Sequence, residues 1–596
     1  MKENKNYLVS LLLLFCCSVL LLCLAESADN DNNNDEVYIV YMGAADSTDH
    51  AHVLNLVIRR NEKALVHNYK HGFSGFAARL TKEEANSIAQ KPGVVSVFPD
   101  PILKLHTTRS WEFLKYQTHV KIDSRPNTAL PNSQSSDTII GILDTGIWPE
   151  AESFVDTEMD AVPSRWKGTC MKSQDFNSSN CNRKIIGARY YGDSDDGAGT
   201  VRDSIGHGTH VSSTAAGINV ANASYYGLAE GTAVGGSPQS RLAMYKVCSD
   251  FGCRGSAILA AFDDAINDGV DVLSLSLGSP SVLRPDLVSD PISIGAFHAV
   301  ERGIVVVCSA GNDGPSLKTV VNDAPWIITV AATTIDREFE SNLVLGNKKV
   351  VQGNSINFSP LSKTPDYPFI YGLSAKTSTA TDSEARQCHP NTLDETKVKG
   401  KIVLCDGQND DGFSTIGKAS VVSQAGGLGL VHVTEQGGSV AQFLGDFPAT
   451  TISPKDSAPI FEYLNSTSNP VATILKTTTV ISYKPAPVVA YFSSRGPSTL
   501  SSNILKPDIA APGVNIVAAW IGNDATNVPK GQNPSAYNVL SGTSMACPHV
   551  SGLAANVKSH NPTWTPSAIK SAIMTSEDCI YRCLPTWLEG VYDSGS

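Results

Sequence analysis

At 596 residues the chain is too long for one hydrophobic core, because cores stop growing at roughly 250 to 300 residues and chains then divide. Its 41% hydrophobic and 17% charged content is that of a globular protein and excludes both a disordered chain and one of many membrane spans. A net charge of -12 argues against a nucleic-acid binder, which needs a basic face to displace phosphate counterions.

Lys2 and Lys5, an apolar run from Leu8 to Leu24, and small residues at Ala25, Ser27 and Ala28 read as a signal peptide over 1–25. The run is shorter than the roughly 20 residues of a spanning helix, so no membrane segment is expected after its removal. Removal takes Cys16, Cys17 and Cys23 from the 13 cysteines and leaves ten in an oxidising compartment. Near neighbours Cys170 and Cys181, Cys248 and Cys253, and Cys388 and Cys405 are candidate bridges. Cys308 and Cys547 lie in apolar segments and are expected as buried free thiols. Asn177, Asn222, Asn357 and Asn465 each open a glycosylation sequon.

The acidic, Asn-rich stretch 29–36 reads as a spacer. A small α+β unit is expected next, with strands at 37–41 and 94–98 and a helix at 81–90 opened by Thr81 and Glu84 in a capping-box pattern. A polar stretch at 123–137 has loop composition. From Thr138, short apolar runs alternate with helical segments, the pattern of a parallel sheet covered on both faces. Residues 138–143 (TIIGIL), 242–247, 270–277 and 303–307 read as strands, and 257–267 as a helix with the apolar face Ile258, Ala261, Phe262 and Ile266. Function in such sheets gathers at the carboxyl ends of strands, where Asp144 and Asn312 fall. The Thr-, Ser- and Gly-rich stretch 355–483, with a strand-like 401–404 and a turn at Gly426, reads as an inserted module. The helix–sheet pattern returns at Val488 and runs to about 575.

Peptide hydrolysis by serine needs a hydroxyl beside an imidazole, a carboxylate that holds the imidazole tautomer, and donors facing the developing oxyanion. Asp144 follows a buried strand in DTGIWPE. Asp-Thr-Gly also marks aspartic proteases, which need a second carboxylate close by, and no second copy occurs. His207 lies in GHGTH, ahead of a helical run. His207 and His210 are close enough to bind a metal, but the Glu of the HExxH zinc motif is missing, which favours a base. Ser544 lies in SGTSMACPHVSG at a helix start, where a serine is commonly a cap and where backbone N–H groups also meet bound anions. Asn312 in AGNDGP offers a side-chain amide.

These segments, in the order Asp, His, Ser, closely resemble the signatures of plant subtilases, as do SLSLG at 274–278, YFSSRGPS at 491–498 and KPDIAAPG at 506–513. The likeness runs from about 37 to 575. It implies an α/β, subtilisin-like, mostly parallel sheet with helices on both faces, in two parts at 107–354 and 484–575. These would be preceded by an inhibitory propeptide at 37–106, self-cleaved at His106 and Thr107, and interrupted at 355–483 by a β-rich protease-associated insertion. It further implies a triad of Asp144, His207 and Ser544 with Asn312 in the oxyanion hole, and no cofactor or metal. Ser274, Leu275, Ser276, Leu277 and Gly278 would form an edge strand that holds substrate backbone by strand addition. The expected partners are protein or peptide substrates and the chain's own propeptide, and the expected location is the extracellular space, cell wall or apoplast. Family members carry further catalytic segments and a C-terminal fibronectin-like domain; 576–596 matches nothing in that pattern. A truncated, non-catalytic peptide-binding or partner-binding protein is therefore the alternative reading.

Overall fold

The computed structural model describes residues 36–42, 53, 54, 57, 64–69, 75–94, 96–99, 110–114, 137–157, 159–191, 199–407, 414–434, 440–500, 503–525 and 528–576. The signal segment, nearly all of the 29–36 spacer and the 123–137 stretch, the His106 and Thr107 junction, and the 577–596 tail lie outside the described residues. The chain divides into two compact units, 1–104 and 105–596. No helix among the described residues is long and apolar enough to cross a membrane.

The first unit is a four-stranded antiparallel sheet in the order Leu65–Tyr69, Gly75–Leu80, Glu36–Tyr41, Ser96–Pro99. Alternation puts Phe76, Ala78 and Leu80 of one strand and Tyr38 and Val40 of its neighbour into one core. Helix Lys82–Ala89 adds Ala85 and Ile88 to it. The helix starts where the sequence places it. Glu84 N donates to Thr81 Oγ1 at 3.2 Å and Thr81 N donates to the Glu84 carboxylate at 2.9 Å, so two backbone donors that the helix cannot satisfy internally are paired.

The second unit is built on seven parallel strands in the order Ile509–Pro512, Ile328–Thr333, Val305–Ser309, Val272–Leu275, Ile139–Asp144, Arg241–Lys246, Ile185–Tyr190. Both faces are buried, which is why the strands read as near-continuous apolar runs. Ile140, Ile142, Leu242, Met244, Val305 and Val307 face one core, shared with helices His207–Ala216, Thr543–His560 and Pro566–Thr575. Ile139, Leu143, Ala243, Tyr245, Val306 and Cys308 face the other, under helices Gly255–Asp268 and Pro291–Glu301. After Ile139–Asp144 the chain builds outward to one edge and then crosses back to Val272–Leu275. The carboxyl end of Ile139–Asp144 is therefore the switch point of the sheet, the place where open α/β sheets leave a crevice.

A second seven-stranded sheet, mixed in direction, follows the order Val350–Val351, Leu343–Leu345, Val471–Ile474, Tyr367–Tyr371, Ile402–Asp406, Gly429–Val433, Ala449–Ile452. It has its own apolar clusters. The stretch carries helices Thr415–Gln424 and Ala458–Ser466 as well as strands, and its sheet recruits residues from 343 onward. Among the described residues the disulfides are Cys170–Cys181, Cys248–Cys253 and Cys388–Cys405, the three pairs expected from adjacency, and Cys308 and Cys547 are buried free thiols.

Candidate active site

Asp144 closes its strand at 1% exposure. Its Oδ1 accepts from Thr145 N at 2.8 Å and from His207 Nδ1 at 2.7 Å, while Oδ2 is buried without a hydrogen-bond partner among the described residues. Because a carboxylate only accepts, this contact places the imidazole proton on Nδ1 and leaves the Nε2 lone pair free. Burial disfavours the charged ring, but the Asp144 charge, the hydrogen bond to it and the Asp203 charge together hold the His207 pKa above its ordinary value. The ring keeps 28% of its side-chain exposure, so a reactant can reach it.

His207 opens its helix directly after Gly206, which takes the left-handed conformation at φ +97°. The helix start is pressed onto the Asp144 loop: a Cβ on Gly208 would stand 2.3 Å from the Gly146 carbonyl oxygen. A buried network locks that contact. Thr145 Oγ1 accepts from Gly208 N at 2.8 Å and donates to Asp203 Oδ1 at 3.0 Å. Asp203, 1% exposed, also accepts from Ile205 N, Gly206 N, Thr209 N and Thr209 Oγ1 at 3.1, 2.8, 2.9 and 2.6 Å. Sequence reasoning missed Asp203 and Thr145; an Asp followed by Gly-His three residues on is the pattern of an aspartate capping its own downstream N–H groups.

Ser544 is the second residue of helix Thr543–His560. Its Oγ donates to the Ser276 carbonyl at 3.0 Å, and Ser276 Oγ donates back to the Ser544 carbonyl at 2.8 Å. No hydrogen bond between Ser544 and His207 occurs among the described residues. The Asn312 amide oxygen accepts from Thr543 N at 2.9 Å and Thr543 Oγ1 at 2.8 Å. This fixes the amide so that Nδ2 lies 3.5 Å from the Cβ position of Gly542. The exposed Asn312 N–H2 and the Ser544 N–H, which has no intrahelical acceptor in the first turn, are the donors at this helix start. Behind Ser544, the Cys547 thiol reaches the Leu275 and Val307 carbonyls at 3.5 Å each. Burial pushes its pKa to about 11, so it packs the helix against the sheet as a neutral thiol.

Two expectations change. Residues 274–278 are not an edge strand throughout: Ser274 and Leu275 pair on both sides, with Val305–Ser309 and Ile139–Asp144, and both side chains are fully buried. Ser276, Leu277 and Gly278 leave the sheet at its carboxyl end, and of these Gly278 is exposed. Asn357 cannot carry a glycan in this fold, because it is fully buried and its amide donates to Ser341 Oγ, Ser355 Oγ and the Ala449 carbonyl. Asn177, Asn222 and Asn465 are exposed. The buried ring of His210 meets the Ile516 carbonyl through Nε2 at 3.0 Å, and burial lowers its pKa to about 3.

A carboxylate–imidazole pair at the switch point of a parallel sheet, with a serine and an amide converging at the start of a helix packed against that of the imidazole, is the arrangement of a serine hydrolase of the subtilisin architecture. The model of the Subtilase family matches residues 135–582 and that of Peptidase inhibitor I9 matches 37–106. The chain belongs to the subtilase family and is a subtilisin-like serine endopeptidase with an inhibitory propeptide, the arrangement of a protease made as a zymogen. It is 61% identical over 548 residues to the CO(2)-response secreted protease of Arabidopsis thaliana, covering 91% of this chain and 71% of that protein. Subtilisin-like protease SBT5.1 of the same organism is 53% identical over 555 residues, with 90% and 70% covered. Subtilisin-like protease SBT4.4, also from that organism, is 46% identical over 552 residues, with 91% and 71% covered.

Proposed function

We propose that the protein cleaves internal peptide bonds of extracellular proteins or peptide precursors through an acyl-enzyme on Ser544. The hydroxyl leaves the Ser276 carbonyl when substrate binds and gives its proton to His207 Nε2 as Oγ attacks the scissile carbonyl. Catalytic hydrogen bonds are often unformed before substrate arrives. Asp144 keeps the imidazole in the accepting tautomer and stabilises the imidazolium. Asn312 Nδ2 and the Ser544 N–H receive the oxyanion. The imidazolium then protonates the leaving amine, and water, deprotonated by the same ring, releases the acyl group. No step needs a metal or cofactor. The observation that carries this reading is the 2.7 Å contact of His207 with a buried Asp144 at the switch point.

Residues 37–106 act as the intramolecular inhibitor and are freed by cleavage between His106 and Thr107. Residues 1–25 direct the chain to the extracellular space or cell wall. The three disulfides and a relative named as secreted support that destination. Backbone groups of Ser276, Leu277 and Gly278 hold the acyl half of the substrate, and the 355–483 stretch is a protease-associated insertion. Ser544→Ala is expected to abolish self-processing and to lower peptide turnover by at least about 10⁴-fold. A purified variant that matured and turned over peptide at the parental rate would overturn the nucleophile assignment.

A further inference from the structure

Two tryptophans border the amino-terminal turn of the His207 helix, and neither has a part in the chemistry above. The indole of Trp520 lies flat against Gly206, its ring carbons 2.5 Å from where a Cβ would stand, in the residue directly before His207. Trp148 donates its backbone N–H to Thr209 Oγ1 at 3.0 Å, and its ring nitrogen stands 3.5 Å from the Cβ position of Gly522. Both indoles are partly exposed, and both are held. Trp520 Nε1 donates to Asp524 at 2.9 Å. The Arg202 guanidinium lies 4.7 Å from the centre of the Trp148 ring and is itself clamped by Glu150 at 2.6 and 2.7 Å. Rigid indoles with a solvent-facing side give a large apolar contact at little cost in side-chain entropy.

The reaction fixes which part of a substrate would meet them. The acyl half is assigned to Ser276–Gly278, which touches Ser544. The helix of Ser544 packs along the His207 helix, which packs in turn against strand Ile516–Ala519, leading into Trp520. The amine that leaves takes its proton from His207, so the chain beyond the scissile bond must run past that ring. We infer that Trp520 and Trp148 form an apolar wall beside His207 that receives a hydrophobic side chain from the first two residues after the scissile bond. Glu150 is neutralised by Arg202, so the Asp524 carboxylate is the charge at the margin that disfavours an acidic residue there. This specificity rests on the assignment of Ser544 and His207 as the reacting pair.

The test uses the processed full chain and quenched peptides identical up to the cleaved bond, with Leu, Ser or Asp placed in turn at each of the two positions after it. The parent is expected to prefer Leu to Ser at one of them by about tenfold in kcat/KM, the size of burying one aliphatic side chain, with Asp poorest. Trp520→Ala should reduce the Leu-to-Ser ratio to within about twofold while still labelling with a fluorophosphonate, and Trp520→Phe should keep the preference. Should Trp520→Ala not label, the ratio is read in Trp148→Ala, where it should fall, against Trp520→Phe, where it should stand. A labelled parent with equal rates for Leu, Ser and Asp overturns this inference alone, as does an unchanged ratio in a labelled Trp520→Ala. A parent that does not label overturns the serine assignment and this inference with it.

Discussion

Replacing Asp203 by Asn tests whether the buried network, rather than the Asp144 contact alone, holds His207 in place. Asp203 takes five donors on two oxygens. An amide that keeps its oxygen toward Thr145, Ile205 and Gly206 must point an N–H2 at the Thr209 N–H, losing that bond and reversing the one to Thr209 Oγ1, which can accept, in a site 1% exposed. A hydrogen bond to a charged acceptor contributes about 1.5 to 3 kcal/mol, so the lost bond costs about 1.5 to 3 kcal/mol, a substantial share of the roughly 5 to 15 kcal/mol by which folded proteins are stable. The Asp203 charge also helps to raise the His207 pKa. A ring that must be neutral to act as base then becomes competent at lower pH, so the acid limb of kcat/KM should move downward. Denaturant unfolding of the processed enzyme and a pH profile of peptide hydrolysis read the two effects. An unchanged unfolding midpoint together with an acid limb that stays or moves upward would refute the reasoning.

Asn312→Ala removes one of two oxyanion donors and should lower kcat by about 100- to 1,000-fold with little change in KM, a magnitude taken from subtilisin itself; an equal rise in KM with kcat preserved would place Asn312 in ground-state binding instead. Glu338 is 2% exposed, and its Oε2 has no hydrogen-bond partner among the described residues. Burial, with the Glu340 charge adding, pushes its carboxyl from 4.5 to about 8. The folded state therefore holds the proton that the unfolded state gives up, and stability is full below about pH 4.5 and lost as pH rises toward about 8. Glu338→Gln should flatten that decline, as measured by unfolding midpoints at pH 5 and pH 8. An identical decline in the variant would assign it to other groups.

Features fixed by neighbours in the chain were legible in the sequence. The Thr81 and Glu84 capping box, the three short-range disulfides and the switch from TIIGIL to Asp144 at a strand end each depend on a few adjacent residues. Short apolar runs between helical segments gave the existence of the parallel strands, and the segments DTGIWPE and GHGTH gave the Asp144 and His207 that meet. What could not be read was pairing across the sheet. Ser274 and Leu275 read as strand, but whether that strand lies at an edge depends on Val305–Ser309 and Ile139–Asp144, both distant in sequence. Asn357 carries an acceptor sequon, yet its burial comes from contacts to Ser341 and Ala449, 16 and 92 residues away. Asp203 was missed because its role lies in converging donors, one of them the hydroxyl of a threonine in another segment, and only its spacing to Gly206 hints at it. The mixed sheet begins at Leu343, ahead of the composition change at 355, because its first strands are as apolar as those of the parallel sheet.

The account depends most on the Ser544 hydroxyl being the group that attacks. Reaction of the processed enzyme with a fluorophosphonate, followed by peptide mapping in a mass spectrometer, reads that atom directly. The expected result is a single adduct on the peptide containing Ser544, absent when His207 is replaced by Ala. An adduct on any other residue, or undiminished labelling without His207, would contradict it.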